Sequence, residues 1–176
     1  MYPHLLTNPV GGEKYYQRKL LFRNLGNGKF KEVGTLSGPG MQVERACRGA
    51  AFGDLDNDGD IDVVTANLDD VPTVLRNDGG NTQNWVLVRL RGTRSNRFGL
   101  GVRVKVITGA VSQIAEATTA SSIFVANDPR VHFGLGDALE SDIEVNWPGD
   151  KVQRFRAVPS NRMVTVDQDK GLVPSN

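Results

Sequence analysis

Cysteine is nearly missing from this chain. Cys47 is the one example in 176 residues, which excludes an intramolecular disulfide framework and any multi-cysteine zinc site. Aromatic residues are scarce at 7 %, and apolar runs stop after a few residues, far short of the roughly 20 that a membrane-crossing helix needs. Net charge is almost absent. The 21 Lys and Arg against 20 Asp and Glu leave +1, which disfavours a nucleic-acid binder driven by phosphate neutralisation. Residues 1–10 have no basic start followed by an apolar stretch, so no signal peptide is expected there. Catalytic signatures are missing too. There is no GxSxG, GxxxxGK(S/T), HExxH or CxxC. Gly134-Leu135-Gly136 is too short for a dinucleotide fingerprint. No catalytic residue is nominated, and the chain is not expected to be an enzyme.

What is present favours strands and tight turns. Glycine numbers 20, and the hydrophobic share of 39 % is enough for a packed core. Val102, Val104 and Val106 alternate with Arg103 and Lys105, and Ile143, Val145 and Trp147 alternate with Glu144 and Asn146. That period of two is the pattern of strands with one buried and one wet face. Trp85-Val86-Leu87-Val88 is apolar on both faces, as a strand between two packed layers would be. Val131-His132-Phe133 and Met163-Val164-Thr165-Val166 read as further strands. The one weak helix candidate, residues 114–122, is undercut by its two threonines and two serines. The expected fold is all-β.

Charge is divided along the chain. Residues 44–78 hold nine acids against three bases, whereas residues 85–115 hold six bases (Arg89, Arg91, Arg94, Arg97, Arg103, Lys105) and no acid. The switch suggests two modules meeting at the turn-rich run 77–81. The six bases read as a solvated face, with polyanion binding as the competing reading. Residues 21–28 resemble residues 74–81 at an offset of 53, a period compatible with propeller blades. His132, between Val131 and Phe133, reads as a structural histidine, His4 has no assigned role, and Cys47 reads as a small buried apolar residue.

The most informative stretch is Asp54-Leu55-Asp56-Asn57-Asp58-Gly59-Asp60-Ile61-Asp62. Five carboxylates within nine residues repel one another unless a cation lies among them, and calcium accepts 6–8 oxygens at about 2.3–2.6 Å. In a loop curled around Ca2+, Asp54, Asp56 and Asp58 can all point inward, Gly59 permits the sharp turn, the Asp60 carbonyl faces the ion and Asp62 closes the site. The twelfth loop position, where an EF-hand requires Glu, is Thr65, so the EF-hand reading fails. Strand-like residues on both sides, Ala50-Ala51-Phe52 and Val63-Val64-Thr65, place the loop between two strands.

Residues 49–62 (GAAFGDLDNDGDID) resemble the FG-GAP repeat, the blade unit of integrin-type β-propellers, and residues 21–30 (LFRNLGNGKF) are similar to its final strand and turn. Downstream, LRGTRSNR at 90–97, GVRV at 101–104, DPRVHFGLG at 128–136 and VNWPG at 145–149 resemble the ASPIC/UnbV domain. The tandem is similar to the cartilage acidic protein family and to bacterial exported proteins. Residues 118–124 depart from the family, which commonly has a Gly-Ser-Gly-Tyr-like segment before its HFGLG run.

The expected architecture is a partial β-propeller blade segment with one calcium loop over residues 1–84, then a compact ASPIC/UnbV-type β domain over residues 85–176. Residues 1–84 are not expected to make a propeller alone, so the chain is a fragment of a longer polypeptide or a divergent, shortened homologue. The resemblance implies a calcium-stabilised extracellular or exported module for binding, adhesion or scaffolding, with an extracellular protein or glycan as ligand, no nucleic acid and no membrane span. Open strand edges imply self-association. The alternative is a calcium-dependent carbohydrate- or polyanion-binding accessory module of an extracellular enzyme.

Overall fold

The alternating valines and the frequent glycine turns resolve into thirteen strands among the described residues, with no α-helix. The computed structural model describes residues 15–149 and 152–174. The readings made on residues 1–10 and on His4 lie outside them.

The C-terminal part is a sandwich of two four-stranded sheets. One has the order β11-β10-β7-β8, from Gln153–Pro159 (β11), Glu140–Asn146 (β10), Arg103–Thr108 (β7) and Val111–Glu116 (β8). The other has the order β13-β12-β6-β9, from Gly171–Val173 (β13), Arg162–Asp167 (β12), Asn84–Arg91 (β6) and Val131–Gly136 (β9). Within the second sheet β6 runs parallel to β12, with Leu87 opposite Met163 and Arg89 opposite Thr165.

Side-chain alternation fills the space between the sheets. Val86, Val88 and Leu90 from β6 meet Val104 and Val106 from β7, Phe133 and Leu135 from β9, and Ile143 and Val145 from β10. Val102 and Trp147, just outside their strands, complete the expected periodic sets, each at most 1 % exposed. Because successive strand residues point to opposite faces, Trp85, Leu87, Arg89 and Arg91 share the outer face of β6. Leu87 is nonetheless 1 % exposed, so something covers that outer face. The cover is the acidic segment.

That segment is a separate three-stranded antiparallel sheet of Cys47–Gly53 (β3), Asp62–Asn67 (β4) and Thr73–Leu75 (β5), in the order β3-β4-β5. The carboxylate loop is the β3–β4 connection, as the flanking apolar residues predict. A further hairpin joins Phe22–Gly26 (β1) to Lys29–Glu32 (β2).

The weak helix candidate at 114–122, already undercut by its threonines and serines, is strand through Glu116, where Ile114 and Ala115 pair with Lys105 and Val104. Two expectations change in detail. Cys47 is exposed instead of buried. The β3–β4 register shifts between Cys47 and Gly49, and its Sγ lies 3.2 Å from Asn67 Oδ1. The edge of β3 is also not open. Residues 118–128, which include the 118–124 stretch that departs from the family pattern, run along it. Ala50 N donates to Ser122 Oγ at 3.4 Å, Phe52 N to Asn127 Oδ1 at 3.1 Å, and Asp128 N to Phe52 O at 3.0 Å. The fit is close enough that a Cβ on Gly49 would collide with the Ile123 carbonyl.

Candidate metal centre

Strand ends and local backbone chemistry shape the loop. Asp54 follows β3 directly, and its Oδ2 accepts the N–H of Gly59 at 3.1 Å. Asp58 Oδ1 accepts the N–H of Asp60 at 3.1 Å, a short-range turn of the kind Asp favours. Asn57 and Gly59 both have positive φ, 61° and 101°, so the chain curls instead of extending. These bonds bring one carboxylate oxygen each from Asp54, Asp56 and Asp58 within 4.8 Å of one another. Two ligands on opposite sides of a calcium ion lie about 4.6–5.2 Å apart, so the spacing suits one such ion.

Asp62 and Asp60 are placed differently from these three. Asp62 Oδ2 accepts the Leu55 N–H at 2.9 Å and its Oδ1 accepts the Asn77 N–H at 2.8 Å. Asp60 Oδ2 accepts the Gly80 N–H at 3.1 Å. Both side chains therefore anchor the run 77–81 against the loop, and Asn81 Nδ2 adds a bond to the Asp58 carbonyl at 3.1 Å. The run expected as a junction between modules is a wall of the site.

The donor chemistry fits a cation. Asp54 is 1 % exposed and Asp60 2 % exposed, yet Oδ1 of each has no hydrogen-bond partner among the described residues. A buried carboxylate oxygen without a donor is costly, and a hard cation is the partner that removes the cost while neutralising the neighbouring acids. Burial raises the Asp60 carboxyl above the usual carboxylate range. The Gly80 N–H opposes that rise, and the charges of Asp58, Asp62 and Asp56 add to it.

Sequence reasoning missed what holds the loop from outside. Gly59 rests on the outer face of β6 and β9. Its carbonyl lies 2.8 Å from His132 Nε2, and a Cβ at this position would collide with the Trp85 indole, so both its φ and its contact require glycine. Trp85 and His132 are stacked with ring centroids 6.2 Å apart. Arg130 donates from Nη2 to the Asp54 carbonyl at 2.5 Å, from Nη1 to Asn57 Oδ1 at 2.6 Å and from Nε to Asp128 Oδ2 at 2.6 Å. His132 thus bonds to the loop backbone. Arg130 carried no local signal for its part in the site, because its loop partners, Asn57 and the Asp54 carbonyl, lie more than 70 residues away in the chain.

Comparison with known proteins finds two matched stretches. The family described as FG-GAP-like repeat matches residues 10–65, and the family described as ASPIC and UnbV matches residues 92–173. Cartilage acidic protein 1 of Mus musculus is 31 % identical over 146 residues, 76 % of this chain and 22 % of that protein. Cartilage acidic protein 1 of Homo sapiens is 31 % identical over 135 residues, 73 % of this chain and 20 % of that protein. The chain spans about a fifth of the length of these curated relatives. β6 precedes the second matched stretch, yet it pairs with both β12 and β9.

Proposed function

The chain carries an FG-GAP-like repeat and an ASPIC and UnbV domain, and from that premise we propose that it is a calcium-stabilised extracellular module for binding, adhesion or scaffolding, with no catalysis of its own. The observation that carries the reading is the buried, unpartnered Oδ1 of Asp54 beside the converging carboxylates of Asp56 and Asp58. These three residues would hold the ion, with the unpartnered Asp60 Oδ1 also available to it, and Asp62, whose two oxygens accept backbone N–H groups, fixes the backbone around it. Calcium supplies charge neutralisation and a rigid loop. The likeness to cartilage acidic proteins supports an extracellular setting, and the ligand we propose for it there is an extracellular protein or glycan.

In the unfolded chain the carboxylates separate, so the ion binds the native state preferentially and raises its stability by mass action. At free calcium about 100-fold above the dissociation constant the gain is roughly 2.7 kcal/mol, and extracellular sites of about 10⁻⁴–10⁻³ M affinity give less at millimolar calcium. Thermal melts with calcium and with chelator test this. Wild type is expected to melt higher in calcium, Asp58→Ala to lose most of that rise, and Asp69→Ala, in the turn after β4, to keep it. Equal wild-type melting temperatures in the two buffers would sink the reading.

A further inference from the structure

The outer face of the β13-β12-β6-β9 sheet is only half covered. The carboxylate loop occupies the end marked by Trp85 and His132. At the other end a cleft of about 520 Å³, within the size range of small-ligand sites, is lined by Arg89, Arg91, Arg97, Arg130, Phe98 and Thr165 among others. Four of the lining residues are arginines and one is an acid, Asp128, although the chain as a whole carries only +1. Arg91 is paired with Asp167 and Arg130 with Asp128, so the charge this cleft offers a ligand comes chiefly from Arg97, beside the guanidinium of Arg89.

Its arginines are held in place from below. Arg89 Nε donates to Thr165 Oγ1 at 3.0 Å and Arg91 Nε to Asp167 Oδ2 at 2.6 Å, which orients two guanidiniums along the sheet. The rim is held as firmly. Gln168 is 5 % exposed, and its Oε1 accepts the N–H groups of Thr93, Arg94 and Ser95 at 3.1, 2.9 and 3.1 Å. Asn96 Oδ1 accepts the N–H of Phe98 at 2.9 Å, and Gly92 N donates to the Arg97 carbonyl at 3.1 Å. On this pinned backbone the Phe98 side chain stays 60 % exposed, and the Arg97 guanidinium has no partner among the described residues. A fixed loop that presents an aromatic ring and a spare guanidinium to solvent loses little conformational freedom on binding.

We propose that this cleft binds an acidic sugar unit, with its sulfate or carboxylate among the guanidiniums and its ring against Phe98. Planar guanidinium forks match oxyanions by paired charge-assisted hydrogen bonds, and an exposed aromatic face suits the apolar side of a sugar ring. Inorganic sulfate or phosphate shares the first contact but makes no use of Phe98. The chain's net charge of +1 disfavours a nucleic acid held by phosphate neutralisation.

The test is titration calorimetry on the full chain with four probes: a sulfated uronate oligosaccharide, its desulfated but still carboxylated form, a neutral glucan of equal length, and inorganic sulfate. Both acidic oligosaccharides are expected to saturate at one site, weakening as salt rises, and the neutral glucan not to bind. Arg97→Glu is expected to weaken binding about tenfold or more and Phe98→Ala about threefold or more, with melting temperatures unchanged. Lys29→Glu, an exposed charge reversal on β2, should leave binding intact. Arg97 and Phe98 lie outside the carboxylate loop, so failure here is distinguishable from failure of the calcium site. Three results would each overturn the proposal: no saturable binding of either acidic oligosaccharide, binding of inorganic sulfate alone, or equal weakening by Lys29→Glu.

Discussion

Asp167 shows how much one side chain at the end of β12 organises. It is 2 % exposed, and its Oδ1 accepts the N–H groups of Asp169 and Lys170 at 3.0 and 2.9 Å. Its Oδ2 accepts Arg91 Nε. The Lys170 N–H, opposed by burial and joined by the Arg91 side chain and the Asp169 N–H, holds the carboxyl below the ordinary carboxylate range. A depressed folded-state pKa means that the native chain favours the ionised form. Its stabilisation is therefore complete above the unfolded pKa of about 4 and is lost as pH falls through the lower folded value. Melting temperatures measured from pH 6 down to pH 3 are expected to drop for wild type over the acid end of that window. Asp167→Asn should start lower at pH 6 and drop less. Parallel curves for the two proteins would show that Asp167 titrates alike in folded and unfolded chains.

Between elements, the controlling contact is Arg130, which ties the β3–β4 loop to the residues that lead into β9. Removing its guanidinium frees the Asp54 carbonyl and the Asn57 side chain together, so the loop loses two of its external anchors while the carboxylates remain. Arg130→Ala is expected to weaken calcium binding about tenfold, read as a rightward shift of the calcium dependence of the melting temperature. Arg130→Lys should restore little, because an ammonium cannot reach three acceptors in the fork geometry. An unchanged calcium dependence in Arg130→Ala would show that the loop organises itself. This contact also marks the boundary of what the sequence discloses. The carboxylate loop was legible because its acids and its glycine lie within nine residues, and the strands because Val102, Val104 and Val106 alternate. The β6 run was readable as covered on both faces, but not the identity of its cover. Trp85, His132 and Arg130 meet the loop through tertiary contact across a long chain separation, which no local period encodes. Cys47 was misjudged for a related reason. Its residue type suggests burial, but a register shift at the start of β3 turns it outward. The basic stretch, read as one solvated face, divides in the structure. Arg103 pairs with Glu116 on the wet side of β7, whereas Arg89 and Arg91 line the cleft on β6.

Across the whole molecule, stability is concentrated in the sandwich and thins toward the N-terminal hairpin. Ile143 is 0 % exposed at the centre of the shared core, whereas Phe22 and Phe30 in the β1–β2 hairpin are 55 % and 62 % exposed. The hydrophobic gain follows the area removed from water, so the hairpin phenylalanines contribute little to the folding of this chain. The expected ordering is steep. Ile143→Ala should cost about 2–5 kcal/mol through lost burial and the cavity left behind, while Phe30→Ser and Phe22→Ser should each stay within about 0.5 kcal/mol. Urea denaturation followed by tryptophan fluorescence measures this directly. Trp147 is 1 % exposed in the same core as Ile143, and Trp85 lies under the carboxylate loop, so the signal reports both regions. The transition midpoint should fall for Ile143→Ala at constant slope and stay in place for the hairpin variants. A Phe30→Ser loss as large as that of Ile143→Ala would mean that the hairpin is buried in solution, and that stability is shared across the chain instead of centred on the sandwich.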